Sequence, residues 1–291
     1  MDTDQRTLGV SPAFVASLYG DGFSVGAYRD ALPLIRSLGF SAFQPEIARM
    51  ESLADWTGGG ARSLAKAASD NGLVATQFVA HFLEDAFSTP EKINSQAGLE
   101  ELKQTLECAK AFGECPTLTI PMLPLRIDWE RVSGFYVTWI NDLMKRRTEK
   151  VFDCLQLATR SGLSLAIEIL PFSIIGGFRR FLDLCAEIGS DRLGLNLDTV
   201  HAWACGEALP LLPFELSGRI FGTHLGDKSA TENGKRAPGK GDIEWKPFLR
   251  NLQTSGYRGS LDIEIVCPPE SVLKEYQEGR SYLLSQGAET P

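Results

Sequence analysis

The feature that most constrains this chain is one rhythm carried from end to end. Short apolar runs rich in β-branched residues alternate with longer segments of helical spacing. The runs cover residues 8–10, 41–47, 74–82, 117–122, 163–170, 193–198, 220–225 and 260–266. They are nearly continuous in apolar residues, as strands of a parallel sheet buried on both faces must be. Between them the period changes. Over 25–38, Tyr28, Ala31, Leu32, Ile35 and Leu38 recur at three- and four-residue steps and stop before Gly39. Segments 61–71, 102–112, 149–159, 178–188 and 245–254 end the same way, at or near Gly72, Gly113, Gly162, Gly189 and Gly256. A glycine just past a helix accepts the left-handed backbone that the turn into the next strand requires.

Eight such units predict an α/β chain folded as a (β/α)8 TIM barrel, a single domain over residues 1–291, since eight strands close a ring and leave no edge. A doubly wound open sheet gives the same alternation and is the competing architecture. Two stretches break the regularity. Residues 122–142 carry Trp129, Phe135, Tyr136 and Trp139. Residues 227–242 form a long polar connection after the seventh strand, where a functional loop is expected.

Charge narrows the partners. With 29 basic against 37 acidic residues the formal net charge is −8, which argues against nucleic acid or an anionic membrane as the main partner. No window approaches 18 uninterrupted apolar residues, and the start has neither a basic nor an apolar leader segment, so a cytoplasmic protein is expected. Six scattered cysteines without a CxxC pair read as reduced thiols.

In a parallel barrel, polar residues at the strand C-ends converge on one mouth. Four ionisable residues interrupt apolar runs there: Glu168, Asp198, His224 and Glu264, spaced so as to fall on consecutive strands five to eight. Converging carboxylates repel by roughly 1–4 kcal/mol per pair at about 4 Å. A divalent cation removes that cost, and three carboxylates with one imidazole suit Mn²⁺ or Mg²⁺, with Co²⁺ also acceptable. The competing account is that each glutamate pairs with a basic side chain. Lys228 is the sole candidate seen near these strand ends, so the metal reading is preferred. All three histidines lie late in or just after strands. His201, three residues past Asp198, is placed to hydrogen-bond a substrate hydroxyl or a carboxylate. His81, Glu46, Lys228 and, in the glycine turn, Lys240 are further candidate substrate contacts.

The elements Ile-Glu-Ile (167–169), Leu-Asp-Thr-Val-His (197–201), Thr-His-Leu-Gly-Asp (223–227), Pro-Gly-Lys-Gly-Asp-Ile-Glu-Trp (238–245) and Asp-Ile-Glu-Ile (262–265) resemble, in type and order, the xylose isomerase-like barrel superfamily. That group contains sugar isomerases and epimerases, inosose and 3-dehydroshikimate dehydratases, and endonuclease IV. The resemblance covers about residues 163–266. It implies Glu168, Asp198, His224 and Glu264 as metal ligands, His201 as a substrate contact, and Glu168 and Glu264 as the acid/base pair. By the same analogy a homo-oligomer is expected. Two features depart from the ketose epimerases: Leu170-Pro-Phe-Ser173 carries no acid after the strand-five ligand, and no arginine follows the strand-seven histidine within a few residues.

Together these readings predict a metal-dependent isomerase or epimerase of a sugar or polyol ketone, working through an enediolate with paired glutamates. The alternative is a dehydratase of the same superfamily acting on an inosose or a dehydroshikimate-like substrate. DNA repair of the endonuclease IV kind is disfavoured by the net charge, by the low histidine count and by Glu244, which stands where that enzyme needs a histidine. A non-catalytic binding barrel is disfavoured by the complete ligand set.

Overall fold

The computed structural model describes residues 7–113, 115–132, 136–231 and 234–288. Eight barrel strands are present, every pair parallel: β1 (Leu8–Val10), β2 (Ala42–Phe43), β3 (Val74–Ala75 and Phe78–Val79), β4 (Thr117–Met122), β5 (Ser164–Ile169), β6 (Leu193–Asp198), β7 (Ile220–His224) and β8 (Leu261–Ile263). Hydrogen bonding runs β8–β1–β2–β3 on one side and β3–β4–β5–β6–β7 on the other. The bridge Leu225–Ile263 joins the β7 and β8 ends, and Glu46–Val79 tightens β2 against β3. The ring is therefore closed, and the open sheet is set aside.

Local chemistry explains each return to the ring. The helix Phe178–Ile188 buries Phe178, Phe181, Leu184 and Cys185 on one face and ends on Gly189 in left-handed backbone (φ 69°, ψ 25°). Two elements differ from expectation. The run 74–82 is broken at Thr76–Gln77, and its last residues turn into a 3-10 segment, His81–Phe87. The helix expected over 149–159 begins at Tyr136 and runs to Arg160, because Trp139, Ile140, Leu143 and Met144 extend its apolar face onto the core. Trp129, Tyr136 and Trp139 pack together at its start, with centroids 6.0–6.4 Å apart; Phe135 lies outside the described residues. All six cysteines are unpaired.

The barrel interior is not uniformly apolar. Gln44, Gln77, Thr119, Asn196, Thr223, Ser260 and Asp262 are buried in it, each joined to its neighbours by hydrogen bonds. Glycine makes the room. A Cβ at Gly222 would lie 2.7 Å from the Gln77 amide, and one at Gly9 would lie 2.0 Å from Asp262 Oδ1. Among the described residues no helix is long and apolar enough to cross a membrane.

Candidate metal centre

The parallel strands bring the four strand-end residues to the same end of the barrel. Asp198 stands opposite His224 across β6–β7, Glu168 opposite Asn196 across β5–β6, and Glu264 follows the last residue of β8. One ligand atom from each of Glu168, Asp198, His224 and Glu264 lies within 4.8 Å of the others, and all four side chains are buried.

Each ligand is aimed by its surroundings. Asp198 caps the helix Thr199–Ala204: its Oδ1 accepts from the Val200 and His201 N–H groups (2.7 and 2.8 Å), leaving Oδ2 for the cluster. Thr119 donates to Gln77, Gln77 to Asn196 (2.8 Å), and Asn196 to Glu168 Oε2 (3.3 Å). His224 turns Nδ1 towards Glu168 Oε2 (3.2 Å) and Glu264 Oε2 (3.5 Å). That Nδ1 is buried and has no hydrogen-bond partner. His201 Nε2 lies 3.5 Å from Glu168 Oε1 and 3.4 Å from Asp198 Oδ2, with 18% of the side chain open to solvent.

Sequence reasoning missed Lys235. It sits eleven positions after His224, inside the loop that follows β7, where no periodicity places it. Its ammonium bridges Asp198 Oδ2 (2.6 Å) and Glu264 Oε2. Lys228 is therefore not the sole basic residue near these strand ends. The charge that three converging acids demand is met in part by a lysine of the chain itself.

The electrostatics follow. Burial penalises the Asp198 charge, but His201 and Lys235 more than reverse this and hold the carboxyl well below its usual range. Burial, reinforced by Asp198 and Glu168, pushes the Glu264 carboxyl up to about 7 against the pull of His224 and Lys235. Glu168, equally buried, is drawn down to about 2 by His224 and Lys235. Burial opposes charge on His224, yet Glu264 and Glu168 raise it to about 9. The carboxylates and the Lys235 ammonium thus support each other's charge.

The other candidate residues lie further out. Glu46 and His81 line a cavity of about 430 Å³ with Asp21, Phe23, Arg49 and Glu84. His81 is held between Glu46 (Nδ1, 3.4 Å) and Glu84 (Nε2, 3.0 Å). Lys240 points away from the cluster and bridges Glu275 and Glu278 of the last helix (2.7 and 2.5 Å). Lys228 contributes backbone: its N–H donates to Asp227 Oδ1, and its carbonyl accepts from Asp242. Buried Asp227 organises the Pro-Gly-Lys-Gly loop, accepting also from the Gly239 and Ile243 N–H groups and from Trp245 Nε1 (2.8, 3.2 and 2.8 Å). A Cβ at Gly241 would meet Asp227 Oδ1 at 2.3 Å. The loop's glycines thus serve a carboxylate of the chain itself.

Comparison with known proteins agrees with this architecture. An inosose isomerase of Halalkalibacterium halodurans is 24% identical over 191 residues, 62% of this chain and 64% of that protein. The matched region spans about three fifths of the length of the curated relatives. Among solved structures, a D-psicose 3-epimerase is 15% identical with TM-score 0.74, covering 97% of this chain and all of the other. A zinc-bound IolI protein is 17% identical with TM-score 0.69, covering 96% of each chain. The sequence profile of the xylose isomerase-like TIM barrel matches residues 32–286, and the chain belongs to that family.

Proposed function

We propose that this chain is a divalent-metal-dependent isomerase or epimerase of a sugar or polyol ketone. The observation that carries this reading is the cluster: three carboxylates and an imidazole within reach of one ion, with His224 Nδ1 buried and unpartnered. The set fits Mn²⁺ or Mg²⁺, with Co²⁺ also accommodated, because oxygen donors outnumber nitrogen. Glu168, Asp198, His224 and Glu264 would hold the ion, and the carboxylate oxygens of Asp198 and Glu264 that now face the Lys235 ammonium would be shared with it. When bound, the ion supplies Lewis-acid polarisation of a carbonyl and a neighbouring hydroxyl.

The remaining work belongs to the chain. Glu168 on β5 and Glu264 after β8 approach the cluster from different strands, so one takes the proton from the carbon beside the carbonyl and the other returns it. Return to the same carbon from the opposite face inverts it. Return to the adjacent carbon, with the proton of the neighbouring hydroxyl passing to the former carbonyl oxygen, moves the carbonyl. His201, whose Nε2 faces the acids, hydrogen-bonds a substrate hydroxyl. Glu46 and His81 contact the distal hydroxyls from their cavity at the same end of the barrel, and Lys228 adds an outer polar contact. Lys240, occupied by Glu275 and Glu278, has no part in this reading. Sugar epimerases and an inosose isomerase among the similar proteins support the substrate class.

One observation favours a second reading, a dehydratase on an inosose or dehydroshikimate-like substrate. The segment after β5 offers no second acid, and its Phe172 is 88% exposed. Metal analysis and a panel of keto-sugars and inososes in D₂O separate the two. Deuterium incorporation without loss of water is expected. An unsaturated product points to elimination, and turnover that survives chelation overturns the metal-dependent reading.

A further inference from the structure

We infer that Gln44, backed by Asp262, is a positioning residue that keeps the Nε2 proton on His224 and so leaves Nδ1 as the ring nitrogen offered to the carboxylate cluster. The inference rests on the proposed metal site for its purpose, though not for its geometry.

Gln44 follows β2 and is fully buried; its carbonyl is pinned by the Tyr28 hydroxyl (2.9 Å). Its side chain spans the barrel interior: Oε1 lies 2.7 Å from His224 Nε2, and Nε2 donates to Asp262 Oδ2 at 2.9 Å. An amide has one donor end and one acceptor end, and shape alone does not orient it. Asp262 does. The same Oδ2 receives the Thr76 hydroxyl at 3.0 Å and the Ser260 hydroxyl, so it acts as an acceptor and the amide must give it NH₂. The amide oxygen is then left for His224. An oxygen at 2.7 Å accepts and does not donate, so Nε2 must carry the hydrogen. The opposite ring nitrogen is the one found without a hydrogen-bond partner, facing Glu168 and Glu264.

The strands are shaped to admit this arm. Gly9 of β1 pairs in register with Asp262, and a Cβ there would lie 2.0 Å from Asp262 Oδ1. Asp262 and Glu264 are two residues apart in one strand run, so both face the interior. One sits beneath the cluster and the other in it.

The test uses the full-length protein with ¹⁵N-histidine, whose three histidines are few enough to assign through single substitutions. In wild type, with or without Zn²⁺, His224 is expected to show a hydrogen-bonded Nε2–H resonance. Its absence overturns the inference. Q44M keeps length and removes the acceptor; it is expected to shift that resonance and to weaken Zn²⁺ binding by about 10–100-fold, the usual effect of losing the group that orients a metal-ligating histidine. Q44E/D262N reverses the arm while keeping an oxygen toward His224: the amide introduced at position 262 donates, and the carboxylate introduced at position 44 accepts from Nε2–H. Zn²⁺ affinity within a few-fold of wild type is expected, a rescue that mere filling of space does not produce. A folded Q44M with wild-type Zn²⁺ affinity and an unchanged resonance defeats the role of Gln44 alone. Wild-type protein that takes up no divalent ion yet shows the Nε2–H resonance defeats the metal reading and leaves the Gln44 geometry standing.

Discussion

Two acidic regions at the mouth of the barrel solve the same problem in opposite ways. On the β5–β8 side, Glu168, Asp198 and Glu264 crowd together in the interior, and the histidine among them leaves one nitrogen unpartnered. On the β2–β3 side, Glu46 and Glu84 flank His81, which meets one carboxylate with each ring nitrogen. The second group sets one imidazole against two carboxylates and is half open to water, with 46% of the His81 side chain exposed. The first is buried, its three carboxylates set against the Lys235 ammonium and the His224 ring. A histidine beside carboxylates is therefore not in itself a ligand. What separates the two is burial, and whether the ring keeps a nitrogen facing the acids with no hydrogen-bond partner.

The largest effect expected is at Glu264. E264Q removes both a ligand oxygen and a proton acceptor, and turnover on any accepted keto-sugar is expected to fall by about 10³-fold or more, with roughly 10²–10⁴ from the acid–base role alone. Metal content measured on the same preparation shows whether binding fell with it. H81Q, its counterpart across the mouth, is expected to bind the metal as wild type does. Equal metal loss in both variants erases the distinction between the two regions.

Next comes Lys235. K235M leaves Asp198 and Glu264 facing each other inside the barrel, and removing one partner of a buried ionic group costs about 3–5 kcal/mol. For a chain of this size that is a fall of very roughly 10 °C in melting temperature. The loss is expected in metal-free protein and to be largely recovered with Mn²⁺, because a divalent ion replaces the missing positive charge. A melting temperature unmoved by K235M without metal means the acids are not relying on that ammonium.

How much of this was legible differs by residue type. Glu168, Asp198, His224 and Glu264 announce themselves because an ionisable group inside an apolar strand run is costly without a reason. Strand order and register then gather them. The βα rhythm and the closed ring were equally visible, since both rest on periodicity. Lys235 was not: it sits in a polar loop, where one lysine among glycines and acids carries no signal until the loop folds back over the mouth. Gln44, Gln77 and Asn196 were passed over because a neutral amide breaks a strand pattern only mildly. Asp262 had a signal that went unused, lying two residues from Glu264 in the same run and so on the same face. Lys240 illustrates the converse, a glycine-turn lysine whose partners come from the last helix, more than thirty positions downstream. Strand length near β3 was overestimated because His81–Phe87 continues the apolar run while leaving the sheet.

A smaller effect tests whether the loop after β7 is scaffold or site. D227N turns one of the acceptor oxygens used by Lys228, Gly239, Ile243 and Trp245 into a donor, at a cost of about 1–3 kcal/mol. Stability measured by denaturant is expected to fall by that amount with metal uptake retained. Loss of metal uptake without loss of stability would move Asp227 into the ion-binding group.

The smallest effect is on the more exposed side. Burial disfavours charge on His81, but Glu46 and Glu84 outweigh it and raise the imidazole from 6.5 to about 11. The folded state thus binds a proton that the unfolded chain releases above about pH 6.5. The stabilisation is full below about pH 6.5 and drains away as pH rises towards about 11. With the side chain half exposed, solvent screening keeps it under about 1 kcal/mol, or about 2–4 °C. Melting curves of wild type and H81Q are expected to differ by that much at about pH 6 and to converge only as pH reaches about 11. A gap that stays constant over this range means that the two carboxylates do not hold His81 charged.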